Sequence, residues 1–102
     1  MPELITIAVE SELPAPDEVK EFHCGAKPIC VANIGGIYSA MDGLCPHRGG
    51  PLGQGMVEGG KVVCPWHGWA WDPVTGATEQ DARMKVAVYP VRIESGDVIA
   101  EV

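Results

Sequence analysis

Apolar and polar residues alternate in short runs along most of the chain, and segments rich in Gly and Pro separate these runs. The first run, residues 3–10, is rich in β-branched residues and places Ile5, Ile7 and Val9 on one face of a predicted strand. No stretch keeps the apolar period of roughly 3.6 residues that marks an amphipathic helix. The pattern therefore predicts an all-β protein.

Turn residues divide the next part of the chain into a meander. Residues 19–24 and 27–33 predict two strands joined by a turn at 25–26, and a third strand reaches Met41 after the Gly-Gly turn at 35–36. Short connections of this kind favour antiparallel neighbours, so we expect these three strands to lie side by side in one sheet.

Two further strand predictions concern the second half of the chain. Residues 61–63 follow a Gly-Gly turn and lead directly into Cys64. Residues 84–93 and 97–102 predict a closing hairpin, which turns at Ser95-Gly96. The chain would thus end in a strand pair that completes the fold.

Composition and charge limit the classes of function. The 102 residues include 13 Gly and 9 Pro and are 46% hydrophobic, which fits one globular domain over residues 1–102 without room for a second, catalytic domain. The formal net charge of −7 disfavours nucleic acid and anionic membranes and favours a basic patch on a partner protein. The N-terminal residues show no basic segment followed by a long apolar run, so we expect a cytoplasmic protein.

The chemistry of the chain is concentrated between Cys45 and His67. Cys45-Pro-His47 and Cys64-Pro-Trp-His67 are separated by sixteen residues, and each pair combines one thiol with one imidazole. Thiolate and neutral imidazole both bind iron or zinc. Zinc fingers usually group Cys with Cys and His with His, whereas a binuclear cluster suits two mixed pairs. A zinc-stabilised interaction module without redox function is nevertheless an alternative at this point.

These two motifs resemble the cluster-binding signature of the Rieske family, together with the flanking sequences CPHRGGPL and CPWHGWAWD. The resemblance implies one [2Fe–2S] cluster, with Cys45 and Cys64 on the inner iron and His47 and His67 on the outer iron. It also implies a small antiparallel β-sandwich or barrel, in which a cluster-binding subdomain at about residues 43–73 forms an inserted tip.

The sequence departs from high-potential Rieske relatives at four positions in the motifs. Gly50 and Trp66 stand where those relatives carry a disulfide between the cluster loops. Trp69 and Trp71 stand where they carry Ser and Tyr hydroxyl groups. Because hydrogen bonds to the sulfurs tune the potential, loss of both hydroxyls predicts a potential near the low end of the Rieske range, about −150 mV.

Several expectations concern residues around the motifs. The loop at 79–85 lacks the proline with which many relatives shield the cluster, and Met84 is the candidate substitute. Leu52 and Trp71 are expected in the core, and Trp66 is expected to contact a partner protein. The remaining cysteines, Cys24 and Cys30, flank a turn at unequal distances and are expected to be free thiols.

The implied function is that of a one-electron carrier, a Rieske-type ferredoxin that is not itself an enzyme. Its expected partners are redox proteins: a flavin reductase upstream and, downstream, the terminal oxygenase of an aromatic-compound oxygenase system or another reductase. The sequence contains no dinucleotide fingerprint, so electrons are expected to come from a protein. A free carrier would be a monomer. The alternative is the Rieske small subunit of an assimilatory NAD(P)H nitrite reductase.

Overall fold

Ten antiparallel β-strands form the regular structure in the computed structural model, which describes residues 3–66 and 68–101. In chain order they are β1 (Leu4–Val9), β2 (Glu18–Cys24), β3 (Lys27–Ile34), β4 (Ile37–Asp42), β5 (Met56–Glu58), β6 (Lys61–Val63), β7 (Ala70–Trp71), β8 (Val88–Tyr89), β9 (Val91–Glu94) and β10 (Asp97–Glu101). Two short 3-10 helices cover Glu10–Glu12 and Leu52–Gln54. The predicted all-β class is confirmed, and none of the described helices has the length and hydrophobicity needed to cross a membrane.

The strands form three sheets. The central sheet has the order β2-β3-β4-β8, the terminal sheet β1-β10-β9 and the third sheet β5-β6-β7. The predicted meander is present as β2, β3 and β4, with turns at the two expected places. The second Cys/His motif connects β6 to β7 of the third sheet, and the first lies on the segment that leads from β4 towards β5. We call the third sheet the site sheet.

Strand β3 separates two hydrophobic cores because both of its faces are buried. Its residues Ile29 and Val31 contribute to one core, whereas Cys30 and Ala32, which point to the opposite face, contribute to the other. The second of these, which we call the site core, contains Cys30, Ala32, Met41, Cys45, Leu52, Val62, Cys64, Trp71 and Val86. The cysteines of both motifs are therefore part of the packed interior.

The first strand differs from its prediction at Val9. Val9 is 45% exposed, and Ala8 is buried in its place. The register of β1 against β10 shifts between Thr6 and Ala8. Because such an irregularity interrupts strict alternation, the residues after it change faces, and a pattern of period two could not reveal this.

The predicted strand at 84–93 is wrong as a single element. Strand β8 pairs with β4 in the central sheet, whereas β9 pairs with β10 in the terminal sheet. Pro90 lies between them and has no N–H for a ladder, although its carbonyl accepts a hydrogen bond of 2.9 Å from Glu101 N–H. The closing hairpin itself is confirmed, and Ser95 and Gly96 have φ of 50° and 81°, as its tight turn requires.

Cys24 and Cys30 are free thiols, as expected. Their partners across the β2–β3 ladder are Lys27 and Glu21 respectively, so the two cysteines are not opposite each other. Burial, with a smaller contribution from the Glu21 carboxylate, raises the pKa of the Cys30 thiol to about 12. A thiol with such a pKa stays protonated at neutral pH and behaves as a small apolar side chain.

Candidate metal centre

The first Cys/His loop is closed by hydrogen bonds around Cys45. Cys45 N–H donates to the carbonyl of Gly50 (2.8 Å), and Gly49 N–H donates to the carbonyl of Cys45 (2.8 Å). The base of the loop is fixed by Leu52 N–H, which donates to the carbonyl of Gly43 (2.9 Å). The loop therefore begins and ends at the same place in the fold, with Cys45 near its base.

The second loop repeats this pattern around Cys64. Cys64 N–H donates to the carbonyl of Trp69 (2.9 Å), and Gly68 N–H donates to the carbonyl of Cys64 (3.1 Å). In both loops the glycine four residues after the cysteine has a positive φ, 73° at Gly49 and 74° at Gly68, which favours glycine. The two motifs thus have matching backbone frames.

The sulfur atoms of Cys45 and Cys64 are neighbours in the site core. The two residues are 1% and 2% exposed. Burial raises the pKa of the Cys45 thiol; the backbone N–H of His47 acts in the opposite direction, and the Cys64 thiol raises the pKa again. The buried Cys45 thiol is therefore costly to ionise in the free protein and is stabilised as a thiolate when a metal binds it.

Gly50 allows the two loops to approach each other. A Cβ at this position would lie 2.5 Å from Cys64 Sγ and 3.3 Å from Trp66 Cβ. Any larger residue would therefore occupy space needed by the second cysteine. Gly50 and Trp66 are the two positions at which the disulfide of high-potential relatives is absent, and here they pack against each other.

The first predicted histidine is oriented by an aromatic side chain from the other loop. The His47 ring stacks on Trp69, with 3.8 Å between ring centroids and 4° between ring planes. Trp69 is partly buried against the site core. The other predicted histidine, His67, lies outside the described residues. Within residues 3–66 and 68–101, no three His, Cys, Asp or Glu side chains surround a single metal position.

The residues around the motifs divide into core and surface as expected. Leu52 and Trp71 are fully buried at 0% exposure, which confirms the prediction for both. Trp66 is 56% exposed and Leu44 is 49% exposed, so each of the two loops has an exposed apolar side chain on or beside it. Arg48 is also exposed and has a φ of 72°. Contact between Trp66 and a partner stays a prediction.

The loop after the site sheet is attached to it by Gln80. Gln80 Oε1 accepts hydrogen bonds from Ala70 N–H (3.2 Å) and from the Thr78 hydroxyl (2.7 Å). Met84, farther along the loop, is partly buried against the site core. That core includes both motif cysteines, but whether Met84 shields a cluster stays a prediction.

Three contacts of the site were not foreseen from the sequence. They are the fit of Gly50 against Cys64, the stack of Trp69 on His47, and the approach of the buried Trp71 indole to Cys45. The spacing of the motifs indicates which residues are the cluster ligands. It does not predict these three contacts, because they join residues that are distant along the chain. Only the Gly-Gly pair after Cys45-Pro-His47 gave a signal, because it indicated close approach of the backbone.

The described donors fit a cluster with mixed ligands. Two adjacent buried sulfurs, a histidine held from the opposite loop and a glycine that leaves room beside one sulfur provide both thiolate and imidazole. An all-β domain with such paired loops defines a cluster-binding metalloprotein. The chain belongs to the Rieske [2Fe–2S] domain family, whose family model matches residues 3–90. It accordingly binds one [2Fe–2S] cluster.

Curated relatives include both small ferredoxins and larger oxygenase proteins. The chain is 42% identical over 83 residues to the anthranilate 1,2-dioxygenase ferredoxin subunit of Burkholderia cepacia, a match covering 80% of this chain and 77% of that protein. Other relatives are monooxygenases and oxygenase components, of which the chain spans only between 12% and 25%. The chain thus matches most of a ferredoxin subunit but a minor part of the oxygenases.

Solved structures have the same fold. The ferredoxin of Sphingomonas yanoikuyae B1 superposes with a TM-score of 0.85 and 25% identity, covering 98% of this chain and 99% of that one. A structure described as an NADH-dependent nitrite reductase small subunit from Mycobacterium tuberculosis superposes with a TM-score of 0.83 and 20% identity, covering 100% and 96%. The second likeness concerns the fold alone.

Proposed function

We propose that this protein is a one-electron carrier, a Rieske-type ferredoxin that passes electrons from a flavin reductase to the terminal oxygenase of an aromatic-compound oxygenase system. The observation that carries the proposal is the pair of matched loops that place the sulfurs of Cys45 and Cys64 side by side in the core. The match over most of a dioxygenase ferredoxin subunit supports the same function.

In this proposal Cys45 and Cys64 bind one iron, and His47 and His67 bind the other. The ligands belong to a cluster-binding subdomain at about residues 43–73 within one domain, residues 1–102. When bound, the [2Fe–2S] cluster accepts and releases one electron. Loading it requires that both thiols lose their protons and that the histidines bind as neutral imidazoles, so assembly releases protons.

The other residues of the loops hold these ligands in place. Trp69 covers one face of the His47 ring, and the hydrogen bonds within each loop fix the backbone around each cysteine. Trp66 and Leu44 are exposed beside the loops and provide the apolar surface on which a redox partner would dock. The protein would work as a monomer in the cytoplasm, without a catalytic site of its own.

The alternative function, a small subunit of nitrite reductase, has weaker support. The likeness to a nitrite reductase small subunit is at 20% identity, whereas the ferredoxin subunit is 42% identical. A zinc-stabilised module is the weakest alternative, because the family binds a [2Fe–2S] cluster.

Electron transfer to purified partners would test the function. The iron-loaded protein is first reduced by a flavin reductase with NADH and then mixed in a stopped-flow instrument with an aromatic-ring dioxygenase. We expect one electron per chain to be taken up and then passed to the oxygenase, with the Trp66→Ala variant slower in the second step. Reoxidation only within a nitrite reductase complex, and by no oxygenase, would overturn the proposal.

A further inference from the structure

The indole of Trp71 is a buried polar group without a conventional partner. Trp71 is 0% exposed, and its Nε1 has no hydrogen-bond partner among residues 3–66 and 68–101. A donor that is removed from water and left unpaired costs free energy, and tryptophans in protein interiors usually avoid this cost. Phenylalanine could fill an apolar site without that cost. The N–H of Trp71 therefore needs an explanation.

The group that this N–H approaches is a motif cysteine. Trp71 and Cys45 pack in the same site core, where the Trp71 side chain is a neighbour of the Cys45 sulfur. A neutral thiol is a weak acceptor, whereas a thiolate is a strong one. The Trp71 N–H therefore has a strong acceptor only when Cys45 is a thiolate, which is the form in which cysteine binds a metal.

The fold holds Trp71 firmly in this position. It lies in β7, pairs with Val62 of β6 and forms a further bridge to Thr78 on its other side. Its ring also lies 6.2 Å from the ring of Trp69, at an angle of 34°. Pairing on both sides of β7 and full burial in the site core hold the indole in place, so the donor is preorganised.

We propose that Trp71 donates a hydrogen bond from Nε1–H to the Cys45 thiolate in the loaded protein and thereby raises the reduction potential. This proposal rests on the proposed function, in which Cys45 is a cluster ligand. Reduction takes up one electron from an external reductant and adds one negative charge, part of which resides on the thiolate sulfurs. A donor to such a sulfur stabilises the reduced form more than the oxidised form, and the proton stays on the indole.

This role makes Trp71 a positioning residue that tunes the potential. The sequence alone indicated that the hydroxyl donor of high-potential relatives is absent at position 71. The structure places an indole N–H there instead. The potential would then be low for lack of hydroxyl donors but not as low as without the indole.

Replacement of the donor tests the proposal. Trp71→Phe removes the N–H, and Trp71→Tyr offers a hydroxyl on a ring of similar size. Met41→Ala is the control, because it opens a cavity in the same site core from β4, which does not pair with β7. We expect the equilibrium constant for one-electron reduction of the loaded Trp71→Phe protein to fall about tenfold, which equals about 59 mV. Met41→Ala should keep the wild-type potential, and the potential of Trp71→Tyr should be higher than that of Trp71→Phe.

A second measurement needs no change at position 71. Protein containing tryptophan labelled with 15N at the indole nitrogen is reduced and studied by pulsed EPR, both as wild type and as Trp69→Phe. The Trp66→Phe substitution is added to Trp69→Phe, so that Trp71 is the only tryptophan left. A 15N coupling that persists in this double variant supports the contact of Trp71 with Cys45, and its absence there overturns that contact. This readout is independent of whether Trp71→Phe folds.

The outcomes separate the two proposals. Iron-loaded Trp71→Phe with the wild-type potential, or Met41→Ala with an equal decrease, would overturn the role of Trp71 and leave electron transfer intact. Wild-type protein that holds no iron after reconstitution would overturn the proposed function as well as this inference. Iron content, measured on every variant before the titration, tells these cases apart.

Discussion

At the scale of single residues, Gly50 controls how closely the two loops approach. A methyl group there would lie 2.5 Å from Cys64 Sγ, well inside van der Waals contact. We expect Gly50→Ala to weaken cluster binding by about 1–3 kcal/mol, the usual cost of an overfilled site. The measurement is the iron content per chain and the rate at which the visible absorption bleaches in the presence of a chelator.

Gly53→Ala is the matched control for this prediction. Its Cβ would lie 2.7 Å from Glu21 Cα, so it crowds the fold as severely but does not touch either sulfur. Neither glycine has a positive φ, so backbone strain does not differ. Gly53→Ala should lower the unfolding temperature without selective loss of iron from the folded protein. An equal loss of iron in both variants would contradict the account of Gly50.

The stack between Trp69 and His47 gives a second prediction for single residues. Trp69→Ala removes the ring that covers His47, whereas Trp69→Phe keeps an aromatic face. Because an aromatic pair is worth about 0.5–1.5 kcal/mol, we expect the cluster of Trp69→Ala to bleach roughly threefold to tenfold faster than wild type. Trp69→Phe should stay near wild type. Equal bleaching of all three proteins would show that the stack does not support the ligand.

At the scale of elements, the turn after β7 depends on Gly76. Gly76 has φ of 80°, and a Cβ at this position would lie 2.2 Å from the carbonyl oxygen of Val86. Asp72 stabilises this turn through its carboxylate, which accepts hydrogen bonds from Val74 N–H (2.8 Å) and Thr75 N–H (3.1 Å). These backbone donors lower the pKa of the Asp72 carboxyl, so the turn keeps its stabilisation at neutral pH.

Gly76→Ala and Gly96→Ala separate crowding from backbone strain. Their φ values are 80° and 81°, but a Cβ at Gly96 would meet open space. We expect Gly96→Ala to cost about 1–2 kcal/mol from its left-handed backbone alone, and Gly76→Ala to cost clearly more. Urea unfolding of both proteins measures the difference. Equal losses of unfolding free energy in the two variants would contradict the prediction that the contact with Val86 adds to the cost.

The elements that the sequence predicted well are those defined by local signals. The meander of β2, β3 and β4 followed from turn residues between β-branched runs, and the closing turn at Ser95-Gly96 required positive φ. The predictions were wrong where pairing with a distant strand decides which face a residue occupies or where a strand ends. The bulge opposite β10 moved Val9 to the surface, and the pairing of β8 with β4 split the last long run at Pro90.

The candidate site was predictable to a similar extent. The motif spacing named the ligands, and the resemblance to the Rieske family gave the cluster and the fold. The contacts of Gly50, Trp69 and Trp71 were beyond the sequence, because each joins residues from two segments that meet only in the folded protein. Local patterns carry little information about such contacts.

At the scale of the whole molecule, the net charge of −7 governs encounters with partners. A basic surface on the reductase or oxygenase would attract this protein over about one Debye length, which shrinks as salt increases. We expect the second-order rate constant of electron transfer to fall as the ionic strength rises from about 0.01 M to 0.15 M. Stopped-flow measurements over this range test it. A rate that is constant or increases with salt would contradict electrostatic attraction.

The central claim is that the paired loops hold one [2Fe–2S] cluster through two cysteines and two histidines. EPR of the purified, dithionite-reduced protein, with iron and zinc quantified in the same sample, tests it most directly. The account predicts about two irons per chain and the low average g value of a cluster with mixed Cys and His ligands. A protein that holds zinc and no iron, even after anaerobic reconstitution, would contradict it.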